Sequence, residues 1–234
     1  MEWFDDYEIR ARIAPTIIIL LPIMVMFFSI FQIPESLITA IVSLGLFFIV
    51  IFALSFIPRE LGIKMQQELW KKWGGPPSTL IIRCKDPHLS LELKKQLYKK
   101  IEKKYGIKLP HQNDQITDPN NFSKIMDSVF NRVRADLHEK SQDERWKKQN
   151  AEYGFLRNLS GCRILWCILS LIGIIGCLGG WVFYKNDLIL IGFALNFIIG
   201  VFSIIFGWLL SPKAIEDAAF RYAEFAWNAF LTLP

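Results

Sequence analysis

The sequence predicts an all-α membrane protein: four transmembrane helices in two hairpins, with a cytoplasmic, mainly helical domain inserted between helices two and three. Two observations carry this. Residues 13–34, 36–58, 164–184 and 188–212 contain no charged side chain, and each run reaches the roughly 20 residues that cross a hydrocarbon core of about 30 Å. Charge is gathered between the second and third runs instead. Of the 27 lysines and arginines, 22 fall in residues 59–163, against 13 of the 22 acids. A composition of 52% hydrophobic and 21% charged residues would suit a soluble domain nearly as well, so the distribution decides.

Residues 1–12 read as a cytoplasmic interfacial segment. Trp3, Phe4 and Tyr7 suit a headgroup layer, with Arg10 and Arg12 at its edge. The flank is acidic (Glu2, Asp5, Asp6, Glu8) and no small-residue cleavage site follows the first run, so a cleaved leader is not expected. Residues 13–58 form the first hairpin, turning at Pro34. The basic bias next to the spans sets the orientation. Arg59, Lys64, Lys71 and Lys72 follow helix two, and Arg157 and Arg163 precede helix three, whereas the short hairpin turns carry only Glu35, Lys185 and Asp187. Positive charge beside span ends marks the cytoplasmic side, which places residues 59–163 and both termini inside.

Within 59–163, Leu61, Met65, Leu69 and Trp73 recur every four residues, so an amphipathic helix should restart beyond Pro58. Gly74-Gly75-Pro76-Pro77 ends it. Residues 79–84 fit a strand or a helix equally. Asp86-Pro87 reads as an N-cap followed by proline, opening a basic helix with Leu89, Leu93, Leu97, Ile101 and Tyr105 on one face. Its lysine doublets (Lys94, Lys95, Lys99, Lys100, Lys103, Lys104) are expected to meet water or anionic headgroups. Residues 106–117 read as a loop. Asp118-Pro119 starts another helix, striped by Phe122, Ile125, Met126, Val129, Val133 and Leu137. The second hairpin spans 164–212. Residues 213–234 form an amphipathic helix bearing Phe220, Phe225, Trp227 and Phe230, laid on the inner leaflet or packed on the cytoplasmic helices.

No catalytic residue, metal site or cofactor is expected. The histidines His88, His111 and His138 form no HExxH pattern, and neither GxSxG nor a Walker A sequence occurs. Cys84, Cys162, Cys167 and Cys177 have no CxxC spacing. The spans lack Asp, Glu, Lys, Arg and His, which disfavours a coupled carrier. Asn196 is the strongly polar side chain near a span centre, suited to an interhelical hydrogen bond. Gly176 and Gly180 form a GxxxG pair that permits close helix packing, either within the chain or between copies of a homo-oligomer. Nucleic acid is disfavoured, since the lysines come without interleaved aromatic residues.

Two stretches at the ends of the basic segment could form a ligand or partner site. One is Leu69–Thr79 (LWKKWGGPPST) with Arg83 and Asp86, offering Trp70, Trp73, Gly74 and Gly75. The other is Tyr153–Gly161, offering Tyr153, Phe155, Arg157 and Asn158. The rings suit stacking on a planar ligand such as a nucleotide signal, and the arginines suit phosphate. The plainer reading is a structural collar that joins the domain to the membrane. These stretches, with the Asp118-Pro119 helix between them, resemble a family of uncharacterised bacterial inner-membrane proteins across residues 60–165. The overall plan is similar to small membrane effectors of bacterial antiphage defence. That resemblance implies a non-enzymatic protein of the inner membrane that oligomerises and disrupts or permeabilises it on a cytosolic signal. The other reading is a constitutive membrane anchor or scaffold that recruits a cytosolic protein complex.

Overall fold

The structure is a computed structural model that describes residues 6–31, 45, 48–110, 118–140 and 143–234. Among these the chain is helix and connecting turns, with no strand. A helical turn Asp6–Glu8 and a π-helical turn Ile9–Ile13 lead into α1 (Ala14–Phe31). Then follow α2 (Phe56–Trp73), the short α3 (Pro77–Leu80), α4 (Leu91–Tyr105), α5 (Pro119–Lys140), α6 (Arg145–Gly161), α7 (Arg163–Tyr184), α8 (Asp187–Ile204) and α9 (Ser211–Thr232). A π-helical segment Ile205–Leu210 joins α8 to α9, so helix is unbroken over Asp187–Thr232.

Among the described residues three stretches are long and apolar enough to cross a membrane: Ile9–Phe31, Arg163–Tyr184 and Asp187–Thr232. Of the expected second span, residues 36–44, 46 and 47 lie outside the described residues. Its end, residues 48–54, is helical and is followed by a turn at Ser55. The expected break at Pro58 therefore lies three residues earlier. A proline is tolerated in the first turn of a helix, where its missing N–H would have no partner, and Pro58 sits in the first turn of α2. The Ser55 backbone N–H and hydroxyl both donate to the Phe52 carbonyl, at 3.2 and 2.8 Å.

The chain divides into two compact units. A membrane unit contains residues 1–66 and 154–215, and a basic unit contains residues 67–153 and 216–234. Residues 59–66 and 154–163, expected with the cytoplasmic domain, thus group with the spans.

In the membrane unit α1, α7 and α8 pack mutually, and their outward sides expose large apolar residues such as Phe27, Phe28, Leu171, Ile175, Ile191 and Ile198. A water-soluble surface does not sustain so broad an apolar face; hydrocarbon does. The chain is a helical membrane protein. Small residues set the inner spacing. A Cβ placed on Gly173 would lie 2.7 Å from Asn196 Oδ1, and one on Gly192 would lie 2.1 Å from Ser29 Oγ.

In the basic unit, α9 supplies the aromatic core. Trp227 is fully buried and its indole N–H donates to the Ser78 carbonyl at 2.9 Å. Phe230 stacks on Tyr105 with centroids 5.8 Å apart, and Phe130 packs on Trp227 at 5.3 Å. Of the two placements expected for the C-terminal helix, packing on helices of the basic segment is the one observed for residues 216–232. Stretch 79–84, open between strand and helix, falls at the end of α3 and in turns, with Ile81 and Ile82 fully buried. Of the expected α5 stripe, Phe122, Met126, Val129, Val133 and Leu137 are buried while Ile125 is half-buried, and Phe130 is buried as well; Asp118 caps the helix by accepting the Asn121 N–H at 3.0 Å.

The start of α4 is a correction. Asp86 does not cap it; its carboxylate accepts the His88 N–H at 2.9 Å in a local turn. Ser90 is the N-cap, accepting the Leu93 N–H at 3.2 Å. The lysine doublets also divide. Lys94 is buried, and its ammonium donates to the carbonyls of Arg83 (2.6 Å) and Asp86. Burial lowers its pKa, and nearby Asp86 partly opposes this. Lys95, Lys99 and Lys103 are exposed. Neighbouring positions on a helix differ by about 100°, so each doublet cannot lie on one face.

Candidate functional site

The densest polar constellation of the membrane unit begins with a proline. Pro15 has no N–H to give to the carbonyl of Ala11, four residues earlier, and in an apolar surrounding an unmet carbonyl is costly. The helix widens there to the π-helical turn Ile9–Ile13. The side-chain amide of Asn158, fully buried on α6, donates to the Ala11 carbonyl at 2.6 Å. The Asn158 amide oxygen accepts from Arg157 Nε at 3.0 Å, and Arg157 Nη1 donates to Gln66 Oε1 of α2 at 2.8 Å. Three chain segments far apart in sequence are thereby tied by one hydrogen-bonded chain.

Glycines allow the approach. A Cβ on Gly161 would lie 2.6 Å from the Gly62 nitrogen and 2.7 Å from its Cα. One on Gly62 would lie 2.3 Å from Asn158 Oδ1, and one on Gly154 would lie 2.8 Å from Ala11 Cβ. The backbones of α2 and α6 touch at this crossing, and the N-terminal helix packs on α6. Beside it lies an apolar cluster of Ile19, Leu159, Cys162 and Trp166, against which Phe155 packs. At Cys162 the chain bends (φ −91°, ψ 7°) between α6 and α7.

The residues proposed from sequence as one ligand site are distributed as follows. Phe155, Arg157 and Asn158 belong to the membrane unit, and Trp70, Trp73, Gly74, Gly75, Arg83 and Tyr153 to the basic unit. In the basic unit Trp73 packs on Phe220 with centroids 6.1 Å apart, and Tyr153 stacks on Tyr222 at 6.2 Å. Gly74 and Gly75 have positive φ (84° and 143°), the conformation that ends α2. Arg83 lies beside Gly75. Sequence reasoning passed over Ala11, Gly62, Gln66 and Gly154. The signal for Ala11 was present in Pro15, whose orphaned carbonyl partner demands a donor from elsewhere.

In the bundle, Gly176 and Gly180 face α1. A Cβ on Gly176 would lie 2.2 Å from Met26 Sδ, and one on Gly180 would lie 3.1 Å from Ile30 Cγ1. The space beside both is filled by the same chain. Asn196 is fully buried; its amide nitrogen lies 3.7 Å from the Cys177 sulfur, and its oxygen has no hydrogen-bond partner among the described residues. Among the described residues no group of three His, Cys, Asp or Glu side chains gathers as a metal site. His88 stacks on Phe220 and His138 packs edge-on to Trp146, while His111 lies outside the described residues. Comparison with protein-family models, curated proteins and solved structures finds no match to this chain.

Proposed function

We propose that this protein is a non-enzymatic effector of the bacterial inner membrane, similar in plan to those of antiphage defence. Its basic unit and both termini face the cytoplasm, and two membrane hairpins, with a second span in residues 36–58, carry it. On a cytosolic signal, from a nucleotide or a protein partner, copies associate through the outward apolar sides of α7 and α8 and permeabilise the bilayer. The supporting observation is the Ala11–Asn158–Arg157–Gln66 chain at the glycine crossing. An anchor needs only apolar spans. A partly buried set of directional bonds at a close crossing can be held or released, and a signal biases it by binding the two positions differently.

Arg157→Ala removes a charged donor from that chain. Hydrogen bonds to charged groups contribute about 1.5–3 kcal/mol, so the balance between held and released crossings should shift by about ten-fold or more. Under induced expression with phage challenge, the parent should depolarise the cell as read by a potential-sensitive dye. Arg157→Ala, present in the membrane at equal amount, should show a rate of depolarisation changed by about ten-fold. If parent and variant behave alike, or the parent never depolarises, the effector reading fails.

The second reading, a constitutive anchor that recruits a cytosolic complex, draws on the exposed row Lys95, Lys99 and Lys103 along α4. It requires no depolarisation under any challenge.

A further inference from the structure

Within the basic unit, Gln96, Lys99, Lys100, Lys103, Lys104 and Pro234 line a cleft of about 520 Å³. Two of its ammonium groups are fixed in place. Lys100 donates to the carbonyls of Leu231 (3.0 Å) and Leu233, and Lys104 pairs with Asp136 at 3.1 Å. Both lie against the buried ring of Phe230, 5.5 and 5.7 Å from its centroid. Asp136 is itself held by the Tyr105 hydroxyl at 2.6 Å. The other two are uncommitted. Lys99 and Lys103 are exposed and, among the described residues, have no carboxylate within ion-pair distance.

We infer that this cleft is a binding site for an anion carrying two or more phosphates. Lys99 and Lys103 are four residues apart, about 6 Å along the helix axis. With Lys104 paired to Asp136, three ammonium charges remain in the cleft, more than the charge of about −2 that one phosphate carries can balance. Lysine ammonium groups bind phosphate as point charges, and holding Lys100 and Lys104 in advance reduces the ordering cost of binding. The cleft also contains its own reason to accept an anion. The pKa of Lys100 is lowered first by burial and then by the nearby Lys104 and Lys103, a repulsion that a bound polyanion relieves. Among the described residues none that lines the cleft is aromatic and the Phe230 ring beside it is fully buried, so the recognised chemistry is the phosphate cluster. That cluster has two sources: a soluble oligophosphate, or the headgroup of an anionic phospholipid with two phosphates.

The assignment is independent of permeabilisation, because binding is read without a membrane potential. Full-length protein in phosphatidylcholine nanodiscs is titrated with inorganic tripolyphosphate by calorimetry. In parallel, cardiolipin retained after detergent extraction is counted by native mass spectrometry. Lys99→Gln/Lys103→Gln is compared with Lys124→Gln/Lys147→Gln, which removes equal charge from exposed positions outside the cleft. At least ten-fold weaker tripolyphosphate binding in the first variant, with the second like the parent, assigns a soluble ligand. Loss of retained cardiolipin in the first variant alone assigns the headgroup. The site is overturned if the parent takes up neither probe, or if the two variants lose binding equally. All the substitutions are at exposed positions, so helical content by circular dichroism should match the parent.

Discussion

Gly161→Leu should abolish accumulation of folded protein in the membrane. Any Cβ at this position would lie 2.6–2.7 Å from backbone atoms of Gly62. A backbone cannot rotate away as a side-chain end can, so α2 and α6 must separate by about an ångström or more. Overpacking alone costs about 1–3 kcal/mol. Here the separation also pulls Gln66 of α2 from the Arg157 guanidinium of α6, and a hydrogen bond to a charged group contributes about 1.5–3 kcal/mol. Together these are a large share of the 5–15 kcal/mol that typically holds a protein folded. Gly161→Ala should fold with a lowered melting temperature, and Gly161→Leu should be recovered at less than about a tenth of the parent level, within that same margin. Normal recovery of the leucine variant would mean that the two backbones are not in contact.

Gly176→Leu should destabilise the bundle, and Gly179→Leu, three residues along the same helix, should not. At Gly176 the added side chain meets Met26, whose thioether can move aside for a methyl group but not for an isobutyl group. The expected cost is about 1–3 kcal/mol. At Gly179 nothing among the described residues lies within 4 Å of a new Cβ, so the expected change is within about 0.5 kcal/mol. Thermal unfolding of monodisperse protein in detergent reads both. Equal destabilisation by the two substitutions would place the contact face of α7 elsewhere.

The spans at 164–184 and 188–212 were legible from sequence because an uncharged run of 20 residues has few other uses. The turn between them was also legible, since Lys185, left-handed at φ 52°, stops α7 and Asn186 caps α8 by accepting the Leu188 N–H at 2.9 Å, whereas the expected end at 212 is no helix end, helix continuing to Thr232. The stripe of α5 was legible because its apolar residues recur at helical spacing and Asp118 caps in the ordinary way. Other features required knowledge of neighbours. Asp86-Pro87 has the form of a helix start, yet Ser90 provides one as well, and only the packing of Leu89 and burial of Lys94 distinguish them. Lys94 illustrates a general difficulty. A lysine in a charged run reads as solvated until carbonyls from a preceding turn surround its ammonium. The rings of Trp73 and Tyr153 read as open platforms because Phe220 and Tyr222, which cover them, lie about 70 or more residues away. The helix crossing was the least legible. Gly62 and Gly161 look like ordinary helix residues until α2 and α6 meet, and Asn158 acquires its role only from the carbonyl that Pro15 leaves open.

Labelling of single cysteines in intact spheroplasts most directly tests whether this is a multi-pass membrane protein with its basic unit in the cytoplasm. Lys140→Cys and Asp187→Cys, each at an exposed position, are introduced into the full chain after Cys84, Cys162, Cys167 and Cys177 are replaced by alanine. A membrane-impermeant maleimide should label Asp187→Cys from outside and leave Lys140→Cys unreacted until the membrane is opened. Labelling of Lys140→Cys in intact spheroplasts would contradict the orientation and, with it, the proposal that the signal comes from the cytosol.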